Sequence, residues 1–436
     1  MKKITFIGAG SVQFTTAVVK DITTFPAFNE AHICLMDTNE YRLEKIKECV
    51  IRIKNEMNSD ITISTTLSRE EALTDADAVI CTVFNGDIDI WRHEIEIPMK
   101  YGVNINVGDT RSVSGIFRAL RNIPLMLDIC KDVERICPNA VMLNYTNPMS
   151  MLCKAMQTYT NVDVTGLCHS VQGTSKMLAQ WAGADYSKVK YTCVGINHMA
   201  FFTELTEDGK DLYPIISEKI KEKEFYNKEK VRNEIFKTFG YYVTESSGHN
   251  SEYTPWFRKR ADLLEKYCSG EGSNWNPGEY AFSLKLRKDP NRFDNLVNDW
   301  MKAPLDKERG QEYAASILNA RIGDGTPFDF NANILNKGSI NNLSSDTCVE
   351  IPVTAHSGGY ERKFNGSLPT AIATLIGYTA GIENLTVEAW EKRSKKTVIE
   401  AVSLDPLCSA VLSLQEIRDM CNELFEVNHD YLGDYK

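Results

Sequence analysis

The chain has 436 residues, 43% hydrophobic and 25% charged, an ordinary composition for a globular protein of two or three domains. A formal net charge of -10 argues against nucleic-acid or anionic-membrane binding, and no run approaches the ~20 apolar residues that span a bilayer. Twelve scattered cysteines without a C-x-x-C pair fit a reducing cytoplasm better than a disulfide framework.

Ile4 to Ile7 is a compact apolar strand that turns directly into Gly8-Ala9-Gly10, too short a run for an export signal. Gly8, Gly10 and Ser11 lead into a helix to about Thr23, and a second strand, His32 to Met36, ends in Asp37. This is the dinucleotide-binding layout. The glycines admit a pyrophosphate to the backbone, the helix N-terminus stabilises its charge, and Asp37 accepts from ribose hydroxyls while repelling a 2′-phosphate. Gln13 stands where the usual fingerprint has its third glycine, so the reading of NAD rests on the position after an N-terminal strand and on Asp37.

The alternation continues with a helix over Asn39 to Asn58, a strand over Ile61 to Ser64, a helix over Glu70 to Ala76 and a strand over Ala78 to Phe84 ending at Asn85. A helix over Gly115 to Ile136, a strand over Ala140 to Asn144 and another over Val162 to Thr165 precede the helix from Ser175 to Trp181. Strands alternating with helices predict an α/β fold, a Rossmann-type doubly wound parallel sheet covered on both faces, here assigned to residues 1–195. In such a sheet the C-terminal strand ends make the site. They carry Asn85, Asn147, Cys168-His169 and His198. Cys168 and His198, one strand–helix–strand unit apart, are expected at the ends of neighbouring strands. With His169 they offer a mixed sulfur and nitrogen set with open positions, as a catalytic divalent metal requires; buried packing is the alternative for each. Asn147 reads either as a helix cap before Pro148 or as a contact to a cofactor or sugar hydroxyl. Asp109 reads as a loop cap, as a partner of Arg111, or as a catalytic group.

Residues 196–436 are less regular and read as an α+β domain for substrate binding and oligomerisation. A strand over Phe201 to Asp208 is followed by a charged helical stretch over Lys219 to Phe239. In Gly240 to Arg260, the residues Tyr241, Glu245, His249, Glu252, Tyr253 and Trp256 suggest a sugar pocket, with an amphipathic interface as the alternative. Ser269 to Gly278 reads as a loop, Ser339 to Ala355 as two strands, and Leu368 to Gly381 and Val387 to Val402 as packed helices.

The motifs GAGS after the first strand, NYTNPM at 144–149, GLCHSVQGT at 166–174, GINHMAF at 195–201 and TESSGHNSEYTPWF at 244–257 resemble glycoside hydrolase family four. They look most like the bacterial melibiose-type α-galactosidases. This NAD- and metal-dependent class is an exception among glycosidases. The resemblance implies oxidation at sugar C3, loss of the C2 proton and of the glycosidic oxygen, addition of water, and return of the hydride, so that NAD is regenerated. A Mn²⁺-like ion stabilises the developing negative charge. Carried over by position, Cys168 and His198 are metal ligands, Gly8, Gly10, Ser11, Asp37 and Asn85 hold NAD, and Asn147 and Glu252 touch substrate. Asp109 or His169 is the general acid, and His249 or Tyr253 the base. Relatives acting on 6-phosphosugars tend to carry aspartate where this chain has His169, which favours an unphosphorylated sugar; α-glucosides and α-galacturonides are the nearest alternatives. The resemblance also implies a homo-oligomer, a dimer or tetramer. From another class, an NAD-dependent 2-hydroxyacid dehydrogenase would share the asparagine–proline after a central strand, but gives Cys168 and His198 no role.

Overall fold

The computed structural model describes residues 1–268 and 289–436, so the loop read at Ser269 to Gly278 lies outside the described residues. β1 (Lys3–Ile7), β2 (His32–Met36), β3 (Thr62–Thr66), β4 (Ala78–Cys81), β5 (Val141–Asn144) and β6 (Val164–Gly166) form a parallel run in the order β3-β2-β1-β4-β5-β6. Ala78 to Cys81 and Val141 to Asn144 are buried throughout, as strands covered on both faces must be. On one face Phe6, Ile33, Leu35 and Ile80 pack with apolar positions of helices α1 (Val12–Ile22) and α2 (Glu40–Met57). On the other, Ile7, Val79 and Met142 pack with α3 (Arg69–Leu73), with α5 (Ser112–Ile136) and with α6 (Met149–Tyr159). Between them, α4 (Ile88–Lys100) is a helix the sequence reading did not register. The chain leaves β1 toward β2 on one side and reaches β4 on the other, which opens the crevice where such sheets bind ligands.

The sheet does not stop at β6. It continues through strands of the second half, β7 (Val189–Ile196), β8 (Met199–Glu207), β9 (Lys210–Asp211), β10 (Tyr242–Val243), β11 (Phe328–Leu335), β12 (Cys348–His356) and β13 (Gly359–Arg362). From β6 onward the order is β6-β11-β12-β7-β8-β10, all antiparallel. One register row crosses both halves: Met36, Ile7, Cys81, Asn144, Gly166, Asn333, Glu350, Gly195 and Ala200 are successive partners. Asp37, Gly8, Tyr145 to Asn147 and Cys168 lie one to three residues beyond that row in the direction of the parallel strands, and His198 lies three residues past Gly195 on β7, which runs the other way.

This corrects the expected neighbourhood of Cys168 and His198. Their strands are separated by β11 and β12, and β7 approaches the row from the opposite direction. His198 is therefore not at a parallel strand end. It sits in the two-residue turn of the β7–β8 hairpin, where Ile196 pairs with Met199.

Other corrections have local causes. Of the two strands read at Ser339 to Ala355 only β12 exists; the first lies earlier, at β11. The connection is a turn whose Asn336 side chain donates to the carbonyls of Ile340, Leu343 and Ser344 at 2.9, 3.2 and 3.0 Å. The stretch Lys219 to Phe239 breaks at Glu229, φ -142°, into helices Lys223–Lys228 and Lys230–Phe239. The helix Thr370–Lys392 runs through Gly381 and ends at Arg393 in the left-handed conformation, before Lys395–Leu404. All twelve cysteines are buried free thiols, and among the described residues no helix is long and apolar enough to cross a membrane.

Candidate active site

At the end of β1, Gly8 has φ +83° and a Cβ there would collide with the Thr82 carbonyl, so the turn demands glycine. The Gly8 and Ala9 N–H groups donate to Met36 O at 3.0 and 2.9 Å. Gly10 N and Asn39 N donate to the two oxygens of Asp37 at 2.8 and 2.9 Å, which fixes that carboxylate beside the glycine turn. Ser11 caps α1, its hydroxyl accepting from Phe14 N at 3.4 Å. Asn85 follows β4, with its side chain donating to Arg121 O at 2.7 Å. Close backbone, a capped helix start and an acid on the next strand make a cradle that fits a dinucleotide. Across β5, the Asn147 side-chain oxygen is buried without a hydrogen-bond partner, an acceptor for a donor from cofactor or sugar.

Farther along the row, Cys168 Sγ, a ring nitrogen of His198 and an oxygen of Glu245 lie within 4.8 Å of one another. His198 Nδ1 is met by the hydroxyls of Thr110 at 3.2 Å and Tyr253 at 3.3 Å, which leaves Nε2 facing Glu245 Oε2 at 3.5 Å. Tyr253 thus supports His198 from behind. His198 and Glu245 both hold positive φ, 61° and 67°, a conformation residues with side chains keep only where the surroundings enforce it.

His249 lies between two carboxylates, its Nδ1 3.1 Å from Glu245 Oε1 and its Nε2 3.4 Å from Asp109 Oδ1. Burial disfavours a charge on His249, yet Glu245 and Asp109 outweigh it and hold the imidazole protonated. Burial likewise opposes ionisation of Glu245 and Asp109. The neighbouring His198 and His249 rings hold Glu245 well below the usual range, and the His249 hydrogen bond and charge do the same for Asp109. Burial pushes His198 down to about 4 against the pull of Glu245, so its imidazole is neutral, the form that binds metal. Cys168 is pushed up by burial, with Glu350 and Glu245 repelling a thiolate. Glu350, a member of the register row, is itself buried, with neither carboxylate oxygen hydrogen-bonded, and burial together with Glu245 raises it to about 8. A thiol, a neutral imidazole and orphaned carboxylate oxygens are a donor set that lacks positive charge, and a divalent cation fits it.

The structure distributes the predicted residues unevenly. Asp109, His249 and Tyr253 converge with Cys168 and His198 as the sequence implies. His169 stands at the mouth, its side chain 62% exposed, with Nδ1 3.8 Å from Glu312 Oε1. Glu252 does not face a sugar. It is fully buried and its carboxylate accepts from the backbone N–H groups of Asn106, Val107 and Gly108 at 2.7, 2.9 and 3.1 Å, so it braces the loop that presents Asp109. Arg111 does not pair with Asp109. Its guanidinium forms a buried ion pair with Glu383 at 2.9 Å, donates to Asn197 O at 2.5 Å and covers the Tyr253 ring at 4.8 Å. It therefore steadies the His198 turn from outside. Glu312, Glu350 and Glu383 escaped the sequence reading. Only Glu350 left a signal there, a lone carboxylate in the otherwise apolar run of β12.

The chain matches known proteins over most of its length. The family described as Family 4 glycosyl hydrolase matches residues 3–184, and its C-terminal domain matches 193–408. An α-galactosidase of Bacillus subtilis (strain 168) is 38% identical, with 100% of each chain covered. An α-galactosidase of Rhizobium meliloti (strain 1021) is 33% identical, covering 99% of this chain and 89% of that one. A 6-phospho-α-glucosidase from gut microorganisms, solved in complex with NAD and Mn²⁺, shares the fold with TM-score 0.83 at 18% identity, covering 100% of both chains. The matched segments span most of the chain and the relatives most of their lengths: this protein belongs to family 4 of the glycosyl hydrolases and is a glycosidase.

Proposed function

We propose that the chain hydrolyses neutral α-galactosides with NAD and a Mn²⁺-like cation bound in one cleft. The observation that carries this reading is that the glycine turn after β1 and Cys168 after β6 follow parallel strands of one sheet, with His198 and Glu245 within 4.8 Å of the Cys168 sulfur. Adjacent strands are ~4.8 Å apart, so the three spacings from β1 to β6 cover roughly 14 Å, within the reach of an extended dinucleotide. The names of the relatives supply the sugar, and His169 supports an unphosphorylated one.

Gly8, Gly10, Ser11, Asp37 and Asn85 would hold NAD, and Cys168 and His198 the cation. Together the two groups supply reversible oxidation of the sugar and Lewis-acid stabilisation of negative charge. The protein's residues do the rest. Asn147 offers its buried oxygen to a sugar hydroxyl. The His249–Asp109 pair, at the inner wall, handles the proton of C2: Asp109 Oδ1 lies 3.4 Å from His249 Nε2 as its ion-pair partner, so the charge that a proton leaves on one group is met by the other. His169, at the mouth, donates to the departing glycosidic oxygen. The enclosed inner wall keeps water from these charges and strengthens their interaction.

A substrate panel tests the proposal. With NAD, Mn²⁺ and a thiol reductant, p-nitrophenyl α-galactoside should be cleaved at least 10²-fold faster than its 6-phosphate or the α-galacturonide (about 3 kcal/mol by rate arithmetic). Activity unchanged after chelation and complete removal of NAD contradicts it, as does steady accumulation of NADH.

A further inference from the structure

We infer that Glu245 is a third protein ligand of the cation, an inference that rests on the metal-dependent reading above. Metal bonds to nitrogen and oxygen of ~2.0–2.2 Å place neighbouring ligand atoms about 3–3.5 Å apart. The separation of His198 Nε2 and Glu245 Oε2 is 3.5 Å, and Cys168 Sγ completes a set spanning no more than 4.8 Å.

Two further features point the same way. The nitrogen of His198 not aimed at this point is already engaged by Thr110 and Tyr253, which fixes Nε2 as the ligating atom. The two residues that must meet there, His198 on the β7–β8 turn and Glu245 after β10, are both held at positive φ. Neither position is a glycine, so the fold keeps an unfavourable backbone at the two places where these side chains are presented. Glu245 uses Oε2 here and Oε1 for His249, so a single carboxylate joins the cation to the proton-handling pair. A thiolate and a carboxylate also cancel the charge of a divalent ion, which leaves the site without an excess positive charge for a phosphate or uronate.

The test is Mn²⁺ binding to the full-length protein, stripped of metal and held in NAD, followed by the electron paramagnetic resonance of free Mn²⁺. Wild type should take up one ion, and Cys168→Ser should lose it. Glu245→Ala should raise the Kd by more than the ~10–100-fold that outer partners of metal ligands are worth, with Glu245→Asp recovering part of the loss. NAD binding reports folding for each variant; if Glu245→Ala fails it, the isosteric Glu245→Gln is used and should raise the Kd about tenfold or more. In the Co²⁺-loaded protein the visible bands should change in the Glu245 variants, which a merely structural role would leave alone. Wild-type affinity and an unchanged Co²⁺ spectrum in a folded Glu245 variant overturn the inference while the Cys168 result upholds the metal site. No uptake by wild type, even with galactose added, removes the metal reading and this inference with it.

Discussion

Cys168→Ser is expected to lower kcat/KM for an α-galactoside by roughly 10²–10³-fold while NAD binding stays measurable. The substitution leaves the backbone path of the loop after β6 in place and replaces sulfur by a smaller, harder oxygen. Burial and the nearby Glu350 and Glu245 already make a thiolate unfavourable at this position. A serine hydroxyl, far less acidic than a thiol, would not ionise there at all, so it would offer a cation only a neutral donor. The loss should appear in both Mn²⁺ affinity and turnover. The cradle at Gly8 to Ser11 is three strands away, and its hydrogen bonds to Met36 and Asp37 do not involve β6. Near-wild-type activity in a metal-loaded variant would refute the ligand role.

His249→Gln should have the second large effect, on stability and on rate together. In the folded protein one buried cation separates two ionised carboxylates, Glu245 and Asp109. Removing the partner of a buried charge typically costs about 3–5 kcal/mol, because the remaining ion stays uncompensated. The metal-free variant should therefore melt well below wild type. Turnover should fall by roughly 10²–10⁴-fold, the usual worth of a positioned acid–base group. A companion variant separates the two effects. Adding Asp109→Asn removes one of the two repelling carboxylates and should restore part of the stability, but none of the activity. Recovery of turnover in the double variant would show that His249 serves the fold and not the reaction.

The first half of the sheet was legible because its information is local. β1, β2, β4 and β5 are short apolar runs, and parallel strands buried on both faces read as such without long-range knowledge. The residues just beyond those strands could therefore be named as candidates from the sequence. What was not legible depends on contacts between distant segments. β11 and β12 enter between β6 and β7 through partners such as Asn333 with Gly166 and Glu350 with Gly195, more than 150 residues apart in each case. Nothing in the strand–helix alternation around Cys168 signals that insertion.

The same limit explains the individual reversals. Glu252 and Glu245 stand seven residues apart in one polar, aromatic segment and look equivalent in sequence. The helix Ser247–Glu252 turns one onto the backbone of the 106–108 loop and leaves the other facing His198 and His249. Arg111 stands two residues from Asp109, but α5 carries its guanidinium toward Glu383 on the helix Thr370–Lys392. A carboxylate's role is set by which donors reach it, and here those donors come from elsewhere in the chain.

The central claim is that hydrolysis proceeds through loss of the proton at sugar C2, handled by the His249–Asp109 pair, and not by direct displacement at C1. Its most direct test is hydrolysis of p-nitrophenyl α-galactoside in D₂O with NAD and Mn²⁺, followed by proton NMR of the released sugar. The account predicts galactose carrying deuterium at C2, with little or none when metal and NAD are withheld because turnover itself stops. Product released at full rate with its C2 hydrogen retained would contradict it.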